Sequence, residues 1–509
     1  MAETTRKSRM AIKAEVTEGT ILLPTGGSDY IALQEGFSLT PAFEQIENSE
    51  LRASIGRGPN IVGTETPTAE ISHYLRNSYV EGTAPNFGLL IKAAFGDTVA
   101  YSGTERTTTA GSSAGSATAA ATIVLGAGGT DFERGKAVLI KDPTNGYSIR
   151  PSRSVSTNTL TLGFNLAVAP ATGITVGKPV FYKPSDDQIS LALWVYRGNG
   201  GATEGISGGK VSEMSFDASA GKELNSSFKF QGLKYFFNPI EIAATDTKFD
   251  FLDNAATRAA TVSAKIYRDP QELASALQTS MNSLGSANTF TVTYNSTGAN
   301  AGKFTIVSTG TTLSLLWNTG VNTANTIGDK IGFIVSSDDT GALTYTSDTV
   351  QSYASPQTPS LDAGQPIIVK AHEVMIGDFN DYGCAGVQNF SFNLKQELVR
   401  TPDVCQDSGY GGQISNGRDV SVDIVLTLVR HDSEKFKRFR AGDTVSFAYN
   451  FGSKAGNNWE AGKCGNIYLP DCKITSFELD DVDGIVTLKV TLNAFVDSSG
   501  NGEVYLTFL

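Results

Sequence analysis

Apolar and polar residues alternate along much of this chain, with the period of two that is typical of β-strands. The clearest run contains Val420, Val422, Ile424 and Leu426, which are interleaved with mostly polar residues. Successive side chains of a strand point to opposite faces, so this run predicts a strand with one buried face. Many similar short runs are bounded by Gly, Asn or Pro, and together they predict a mainly β fold.

One segment breaks this pattern and predicts an α-helix. Residues 269–272 read Asp-Pro-Gln-Glu, a capping box with proline at the first helical position. Leu273, Leu277 and Met281 follow at intervals of four, which places them on one helical face. Gly285 is expected to end the helix.

Two predicted hairpins share a spacing of residue types. Both have Lys and Asp in the first strand and Gly in the turn, at the matching positions Lys210 and Lys473, Asp217 and Asp480, and Gly221 and Gly484. A second pair of segments begins at Gly63 and Gly417, with an acidic residue two positions later and an arginine thirteen positions later (Arg76 and Arg430). Chance similarity of amphipathic hairpins is the alternative, but we predict an internal duplication.

Changes in composition divide the chain into units. Small polar residues at 107–115 and a Pro- and Ser-containing stretch at 346–365 are typical of linkers. The predicted fold has two β-sandwich or barrel units with an inserted small β-barrel and an inserted small α+β module. The boundaries are 1–102 with 184–240 for the first unit (1–20 being an N-terminal arm), 103–183 for the inserted barrel, 241–345 for the α+β module, and 346–509 for a linker and the second unit.

Composition narrows the classes of function. The 509 residues carry a net charge of −12 with an isoelectric point near 4.9. This balance argues against binding to a phosphate backbone, which needs clustered Lys and Arg. No stretch has the length of a membrane-spanning helix. The cysteines lack metal-binding spacing and are expected to be reduced thiols, with a bridge between the last two as the less favoured alternative: Cys384, Cys405, Cys464 and Cys472.

Motifs for catalysis or metal binding are weak. His73, His372 and His431 are far apart and have no ligand at helical spacing. The G-x-S-x-G string at 111–115 lies in a low-complexity linker rather than between a strand and a helix, so we interpret it as accidental. The glycine-rich segment 129–136 lacks the spacing and the hydroxyl residue of a phosphate-binding loop. We therefore predict no catalytic residue, no metal, no cofactor and no enzymatic activity.

Acidic residues cluster in the two matching hairpins. If they face a channel, DNA inside would be repelled and could slide without salt-dependent attachment. The alternative is a solvated turn on an outer surface. The candidates for an acidic lumen are Glu213, Asp217, Glu223, Glu478, Asp480, Asp481 and Asp483.

Several segments resemble the tail tube proteins of siphophages, whose tails are long and non-contractile. The N-terminal ones are 36–44, 50–54, 61–65 and 85–96, which contain Gly-Phe-Ser-Leu-Thr-Pro-Ala-Phe-Glu and Pro-Asn-Phe-Gly-Leu-Leu-Ile-Lys-Ala-Ala-Phe-Gly. Later segments fit the same pattern, at 208–211, 387–394 and 417–420. The module at 241–345 departs from the minimal pattern and is expected to face outward.

The resemblance implies a structural subunit of a virion tail that is assembled in the host cytoplasm. Sheets of neighbouring subunits would join into an inner barrel, and rings would stack into a hollow tube that surrounds the tape measure protein and conducts double-stranded DNA without binding it specifically. A duplicated chain would form homo-trimeric rings with pseudo-sixfold symmetry, and an unduplicated one homo-hexamers. Other implied partners are the tail terminator and the distal tail or tip proteins, with no membrane. Arg6, Lys7 and Arg9 of the arm would reach an acidic neighbour in the next ring.

Two other classes of function remain open at this stage. The chain could be a tail-tip or fibre module whose insertions bind a host-surface carbohydrate or receptor. It could also be a polysaccharide depolymerase, although such enzymes need paired carboxylates in an aromatic groove, and Trp194, Trp317 and Trp459 are scattered. A tube protein should polymerise, whereas a fibre module should form a slender trimer.

Overall fold

The computed structural model describes residues 5–32, 34–50, 56–99, 104–114, 121–198, 202–351, 353, 364–377, 386–427, 433–482, 484–496 and 502–509. The predicted linker at 346–365 therefore lies largely outside the described residues. Four single residues used above lie outside them as well: Cys384, Arg430, His431 and Asp483.

The first part of the chain alternates short strands with one helix, in the order β1 (Arg9–Ala14), β2 (Tyr30–Ile31), β3 (Ser38–Thr40), β4 (Phe43–Ile46), β5 (Ile61–Glu65), β6 (Thr68–Tyr74), α1 (Gly88–Phe95) and β7 (Gly96–Val99). The helix α1 is apolar on most of its surface, and Leu90, Ile91 and Phe95 are fully buried. Gly96 ends α1 with a positive φ of 103°, a conformation that glycine adopts at little cost.

The next elements form a separate sheet and then return to the first. They are β8 (Arg106–Thr107), β9 (Thr122–Val124), β10 (Ala137–Asp142), β11 (Gly146–Ser156), β12 (Thr159–Leu162), β13 (Thr175–Val176), β14 (Val180–Pro184), β15 (Leu191–Arg197), β16 (Ala202–Ser219), β17 (Asn225–Gln231) and β18 (Lys234–Phe237). A six-stranded sheet has the order β8-β13-β10-β11-β12-β9. It has its own apolar cluster, which includes Ile123, Val138 and Leu160.

A module of small sheets and one helix follows: β19 (Ile240–Ile242), β20 (Lys248–Asp253), β21 (Ala256–Thr261), β22 (Lys265–Tyr267), α2 (Pro270–Asn282), β23 (Phe290–Asn295), β24 (Lys303–Ser308), β25 (Leu313–Leu315), β26 (Asp339–Ala342) and β27 (Thr344–Thr346). The predicted helix is confirmed. The Asp269 carboxylate accepts from the Glu272 backbone N–H at 2.8 Å, whereas the Glu272 carboxylate accepts from Arg268 N rather than from the cap itself. The apolar face of α2 is buried in the module's own core.

The last part of the chain contains the longest strands: β28 (Glu373–Gly377), β29 (Val387–Pro402), β30 (Tyr410–Thr427), α3 (Ser433–Ala441), β31 (Val445–Ala455), β32 (Asn458–Val482), β33 (Ile485–Ala494) and β34 (Tyr505–Phe508). The alternation read from the sequence is confirmed in β30, where Val420, Val422, Ile424 and Leu426 are all buried. Short 3-10 helices lie at Thr5–Lys7, Gly27–Asp29, Gly129–Asp131, Thr323–Asn325 and Gly328–Ile331.

The prediction of a mainly β fold is confirmed. Strands from both ends of the chain form one 17-stranded sheet around one large apolar core. Two groups of six strands can be followed in it. The first has the pairing order β1-β15-β16-β17-β6-β3. The second has the pairing order β28-β31-β32-β33-β30-β29.

The two groups are joined by antiparallel pairing of β16 with β29, which we call the internal seam. In this seam Phe216 lies opposite Phe392, and their rings stack with centroids 5.7 Å apart. The strands β3-β6-β17-β16-β29-β30-β33-β32 therefore form a continuous run across both groups, which we call the eight-strand sheet.

The structure corrects the prediction that residues 1–20 form an extended arm. Arg9–Ala14 is the strand β1, which is paired with β15 on one side and with β2 on the other. Met10 and Ile12 belong to the large apolar core, and burying such side chains stabilises the strand in place. Residues 9–14 therefore belong to the large sheet rather than to an arm.

Cys464 and Cys472 are buried free thiols, and Cys405 is an exposed one. The less favoured bridge between the last two cysteines is therefore wrong. Within the described part of the chain, no helix combines the length and apolar character needed to cross a lipid bilayer.

Candidate assembly surface

The eight-strand sheet has one apolar and one polar face. On β16, Met214, Phe216 and Ala218 are buried in the core, whereas the alternate residues Glu213 and Asp217 face away from it. The same alternation in the neighbouring strands extends this surface, which we call the polar face, across both strand groups. A half-buried antiparallel sheet of this kind needs no second layer on its polar side.

Opposite charges alternate across the polar face. Reading across the strands at one level, the residues are Glu70, Lys229, Glu213, Lys395 and Asp419. The Lys229 ammonium lies 3.1 Å from the Glu213 carboxylate. Facing cross-strand pairs of opposite charge each contribute roughly 0.2–1 kcal/mol. This row therefore supports the pairing between strands rather than leaving its carboxylates unbalanced.

Carboxylates nevertheless outnumber lysines on the described part of the polar face. The carboxylates are Glu70, Glu213, Asp217, Glu397, Asp419, Asp423, Glu478 and Asp480, and the lysines are Lys229, Lys395, Lys473 and Lys489. A surface with this excess carries a negative potential, which repels polyanions.

The structure describes six of the seven predicted acidic residues and places them in different positions. Glu213, Asp217, Glu478 and Asp480 lie together on the polar face. Glu223 lies at the exposed turn of the first hairpin, with its backbone bridged to the segment after residue 364. The carboxylate at position 481 accepts from the backbone N–H of Gly484 at 2.9 Å and so closes the second turn. Asp483 lies outside the described residues.

Sequence reasoning missed four acidic residues of this face. Glu70 lies on β6, Glu397 lies on β29, and Asp419 and Asp423 lie on β30. The alternation of polar with apolar residues in these strands was the available signal. The alternation assigns each carboxylate to one face of its own strand, but it does not show that the three strands belong to one sheet.

The ion pair of Asp480 with Lys489 is the main electrostatic contact at the end of β32. The nitrogen of the ammonium and an oxygen of the carboxylate are 2.5 Å apart. Hydrogen bonding with Lys489 lowers the pKa of Asp480, and hydrogen bonding with Asp480 raises the pKa of Lys489. Both groups are therefore charged near neutral pH.

Both outer edges of the eight-strand sheet are open. Beyond Cys472, β32 is paired with β33 on one side only, among the described residues. At the other end, β3 is paired within the described chain with β6 only. Open edges present unpaired N–H and C=O groups, which are a template for pairing with another strand.

Apolar side chains are exposed at the open β32 edge. Leu479 is 63% exposed and Val486, on β33, is 50% exposed. The residues at the matching places of the first hairpin, Phe216 and Leu224, are 0% and 1% exposed. The difference arises because β29 and the segment 367–369 cover the first hairpin.

The predicted arm residues lie at the start of β1 or just before it. Arg6 is exposed and its Nε lies 3.4 Å from the Glu35 carboxylate of the same chain. Lys7 is exposed in a short 3-10 helix. Arg9 is the first residue of β1 and pairs in register with Tyr196. Arg6 and Lys7 are thus the exposed cations at the start of the described chain.

The described histidines are structural. His73 packs on Phe87 with ring centroids 4.6 Å apart, and burial lowers its pKa to about 4. His372 lies 2.6 Å from the Tyr449 hydroxyl and accepts from the Gly452 backbone N–H, and burial lowers its pKa to about 4 as well. No cluster of His, Cys, Asp or Glu suited to a metal ion occurs among the residues that the structure describes.

Comparison with known proteins identifies the family. The family model described as phage tail tube protein matches residues 5–266. The chain belongs to the phage tail tube protein family. A chain from the solved structure titled "Virion of native gene transfer agent (GTA) particle" is 14% identical, with 25% of this chain and 92% of that chain covered and a TM-score of 0.19. At this TM-score the likeness adds nothing to the family match. No curated protein matches the chain.

Family membership gives the chain a structural role in the tail tube of a phage particle. A tail tube protein assembles with further copies of itself, and its place is the virion tail. The resemblance inferred from the sequence is thereby confirmed at the level of the family.

Proposed function

We propose that this tail tube protein forms rings that stack into a hollow, non-contractile tube, which holds the tape measure protein and conducts double-stranded DNA into the host. The observation that carries the proposal is the eight-strand sheet, with one polar face and two open edges. A heterologous contact between unlike edges closes into a ring when the rotation between copies allows it. Pairing at the edges would extend the sheet from copy to copy.

Matching β-bulges support an internal duplication. The register of β16 with β17 shifts between Val211 and Glu213, and that of β32 with β33 shifts between Ile474 and Ser476. Both shifts fall at the same distance from the aligned residues Asp217 and Asp480. Bulges are specific local features rather than defects, so their coincidence favours a common origin of the two hairpins.

A second bulge supports the same alignment. The pairing of β15 with β16 shifts between Leu191 and Leu193, where Leu191 faces Gly209. The pairing of β31 with β32 shifts between Val445 and Phe447, where Val445 faces Cys472. Gly209 and Cys472 are as far apart in the chain as Lys210 and Lys473, the pair recognised in the sequence.

Hydrogen bonds at the bulges are also repeated. The Ser212 hydroxyl donates to the Lys229 carbonyl at 3.2 Å, and the Thr475 hydroxyl donates to the Thr491 carbonyl at 3.3 Å. Each group also has one helix at the same place in its chain order. The helix α1 follows β6, the third strand of the first group along the chain, and packs on β16; the helix α3 follows β30, the third strand of the second group, and packs on β32. With two such units per chain, trimeric rings have pseudo-sixfold symmetry, and we prefer them to hexamers.

The polar face supports a negatively charged lumen. If the sheet closes with its polar face inward, the carboxylates of that face meet the DNA, whose phosphates they repel. Passage then avoids the counterion-releasing attachment that basic linings create. On this proposal Glu213, Asp217, Glu478 and Asp480 line the bore, with Glu223 and Asp481 at the hairpin turns.

The remaining parts of the chain have proposed places around this bore. Apart from the N-terminal arm, the units keep the predicted boundaries, with the small barrel at 103–183 inserted into the first tube domain and the α+β module at 241–345 facing outward. Arg6 and Lys7 would contact an acidic surface of the next ring. The tail terminator and the distal tail or tip proteins would bind the two ends of the tube after assembly in the host cytoplasm.

Electron microscopy of the purified protein tests the proposal. Hollow tubes or rings are expected, and mass per ring height should correspond to three chains. A slender trimer without a bore would contradict the proposed function, whereas six chains per ring would contradict only the preference for trimers. A variant lacking residues 241–345 should still form tubes if that module is peripheral.

A further inference from the structure

We propose that the open edge of β32 pairs with the open edge of β3 in a second copy of this chain, in the same register as the internal seam. This inference rests on the proposed function and adds the strand pair and the register to it. The register places Leu479 of one copy opposite Leu39 of the next, and Asp480 opposite Ser38.

The position on β32 follows from the bulges. Because Val211 and Glu213 match Ile474 and Ser476, the seam residue Phe216 matches Leu479. The next residues, Asp217 and Asp480, are then also equivalent. In the internal seam this stretch of β16 is covered by β29, and in β32 its counterpart is open.

The position on β3 follows from the neighbouring strands. Phe230 pairs with Val211 and Leu492 pairs with Ile474, so both lie at equivalent positions beside the bulges. Phe230 faces Ala69, which faces Leu39. Leu492 faces Val422, which faces Phe392. Leu39 therefore occupies in the first strand group the place that Phe392 occupies in the second. The sequence agrees with this alignment, since Phe-Ser-Leu at 37–39 matches Phe-Ser-Phe at 390–392.

The contacts of the internal seam can be repeated by these residues. The Ser391 hydroxyl donates to the Asp217 carboxylate at 2.7 Å. The equivalent residues, Ser38 and Asp480, are again serine and aspartate. On the apolar side, the stacked phenylalanines of the internal seam correspond to a pair of leucines. The proposed register therefore reproduces between two copies both the polar and the apolar contact of the internal seam.

The exposure of the two edges identifies a second copy as the occupant. Phe216 is fully buried with β29 paired beside it, whereas its counterpart Leu479 has no strand on that side among the described residues and is 63% exposed in the single chain. The side chain that covers Phe216 in the internal seam belongs to a strand whose counterpart is β3. Since β3 lies at the opposite outer edge of the same sheet, it can reach Leu479 only from another copy.

Disulfide trapping tests the register. Ser38→Cys is combined with Asp480→Cys in a chain that also carries Cys405→Ser, and assembled tubes are oxidised. Opposite residues on antiparallel strands have Cβ atoms about 4.5–5.5 Å apart, near the separation that a disulfide requires, whereas diagonal ones are about 7–8 Å apart. The combination of Ser38→Cys with Glu478→Cys is the out-of-register control, and each single variant reports linkage through other cysteines.

The internal seam supplies a matched positive control. Asp217→Cys with Ser391→Cys should close a bond within one chain, seen as the loss of two free thiols in mass spectrometry without a change of size on a gel. The inter-copy pair should instead give covalent dimers and trimers on a non-reducing gel, at a yield at least tenfold above that of the out-of-register pair.

Three outcomes distinguish the failure of this inference from the failure of the proposed function. If tubes form and the internal pair closes while the inter-copy pair stays monomeric, the seam is wrong and the tube remains. If the out-of-register pair links preferentially, the register is wrong. If the unsubstituted chain forms no ring or tube by electron microscopy, the proposed function itself is overturned before any cross-link is read.

Discussion

Truncation of Leu479 is the sharpest stability test of the proposed pairing of the β32 edge between copies. Complete burial of a leucine side chain is worth roughly 1.5–3 kcal/mol. Leu479 is 63% exposed in the single chain, so covering it gains about 1–2 kcal/mol for each contact between copies. The Leu479→Ala variant loses most of this gain in the assembled state and little of it in the isolated chain.

The critical concentration for tube formation measures this loss directly. Because every factor of ten in an equilibrium constant corresponds to about 1.4 kcal/mol, Leu479→Ala should raise the critical concentration roughly tenfold, as measured by sedimentation over a dilution series. Leu479→Lys should raise it further, since an ammonium would have to lose its water at the contact. Substitutions at exposed positions usually change the folding stability by less than about 0.5 kcal/mol, so the melting temperature of the unassembled chain should hardly move.

The matched control lies in the α+β module. Val321 is 91% exposed, and Val321→Ala removes apolar surface of similar kind far from the eight-strand sheet in the chain. It should leave the critical concentration unchanged. An unchanged critical concentration for Leu479→Ala, or an equal rise for both variants, would refute the reasoning that the β32 edge is covered on assembly.

Three further predictions concern other parts of the molecule. Burial holds the pKa values of His73 and His372 at about 4, below the ordinary 6.5. The stability that these neutral histidines contribute is therefore fully present above pH 6.5 and is lost as the pH falls, by about 2 kcal/mol of unfolding free energy for each histidine at pH 5. Denaturant titration should show a weaker pH dependence of the unfolding free energy in His73→Gln. Asp269→Ala removes the N-cap of α2 and should cost the module about 1 kcal/mol, seen as faster hydrogen exchange in the helix with tubes intact. Combined Glu70→Lys and Glu478→Lys should make tubes retain short duplex DNA at low salt and release it at high salt; absence of retention would argue against a lumen lined by the polar face.

Local periodicity was sufficient for the elements whose burial is decided by their own residues. The alternation in β30 and the capping box of α2 both predicted the observed structure, because backbone period and cap chemistry act within a few residues. The turns at Gly221 and Gly484 were also placed correctly. Each has a positive φ, 79° and 78°, which glycine adopts without steric cost.

The N-terminal segment shows where such reasoning fails. Residues 1–20 were expected to form an arm, yet Met10 and Ile12 of β1 are buried in the large core, with β2 and β15 paired on either side. The residues that supply these neighbours are up to about 190 positions away in sequence. No local pattern reports a partner at that distance, because hydrogen bonds between strands are indifferent to sequence separation.

The sequence by itself determined that the chain is rich in strands, contains one capped helix, carries a negative net charge and resembles tail tube proteins. Only the tertiary structure decided which carboxylates share a face. It brought Glu70 and Asp419 into one row with Glu213 and separated the turn residue Asp481 from its neighbour Asp480. The physical reason is that strand alternation assigns a residue to one of two faces, whereas the pairing order of the strands, set by packing of the whole core, determines which faces meet.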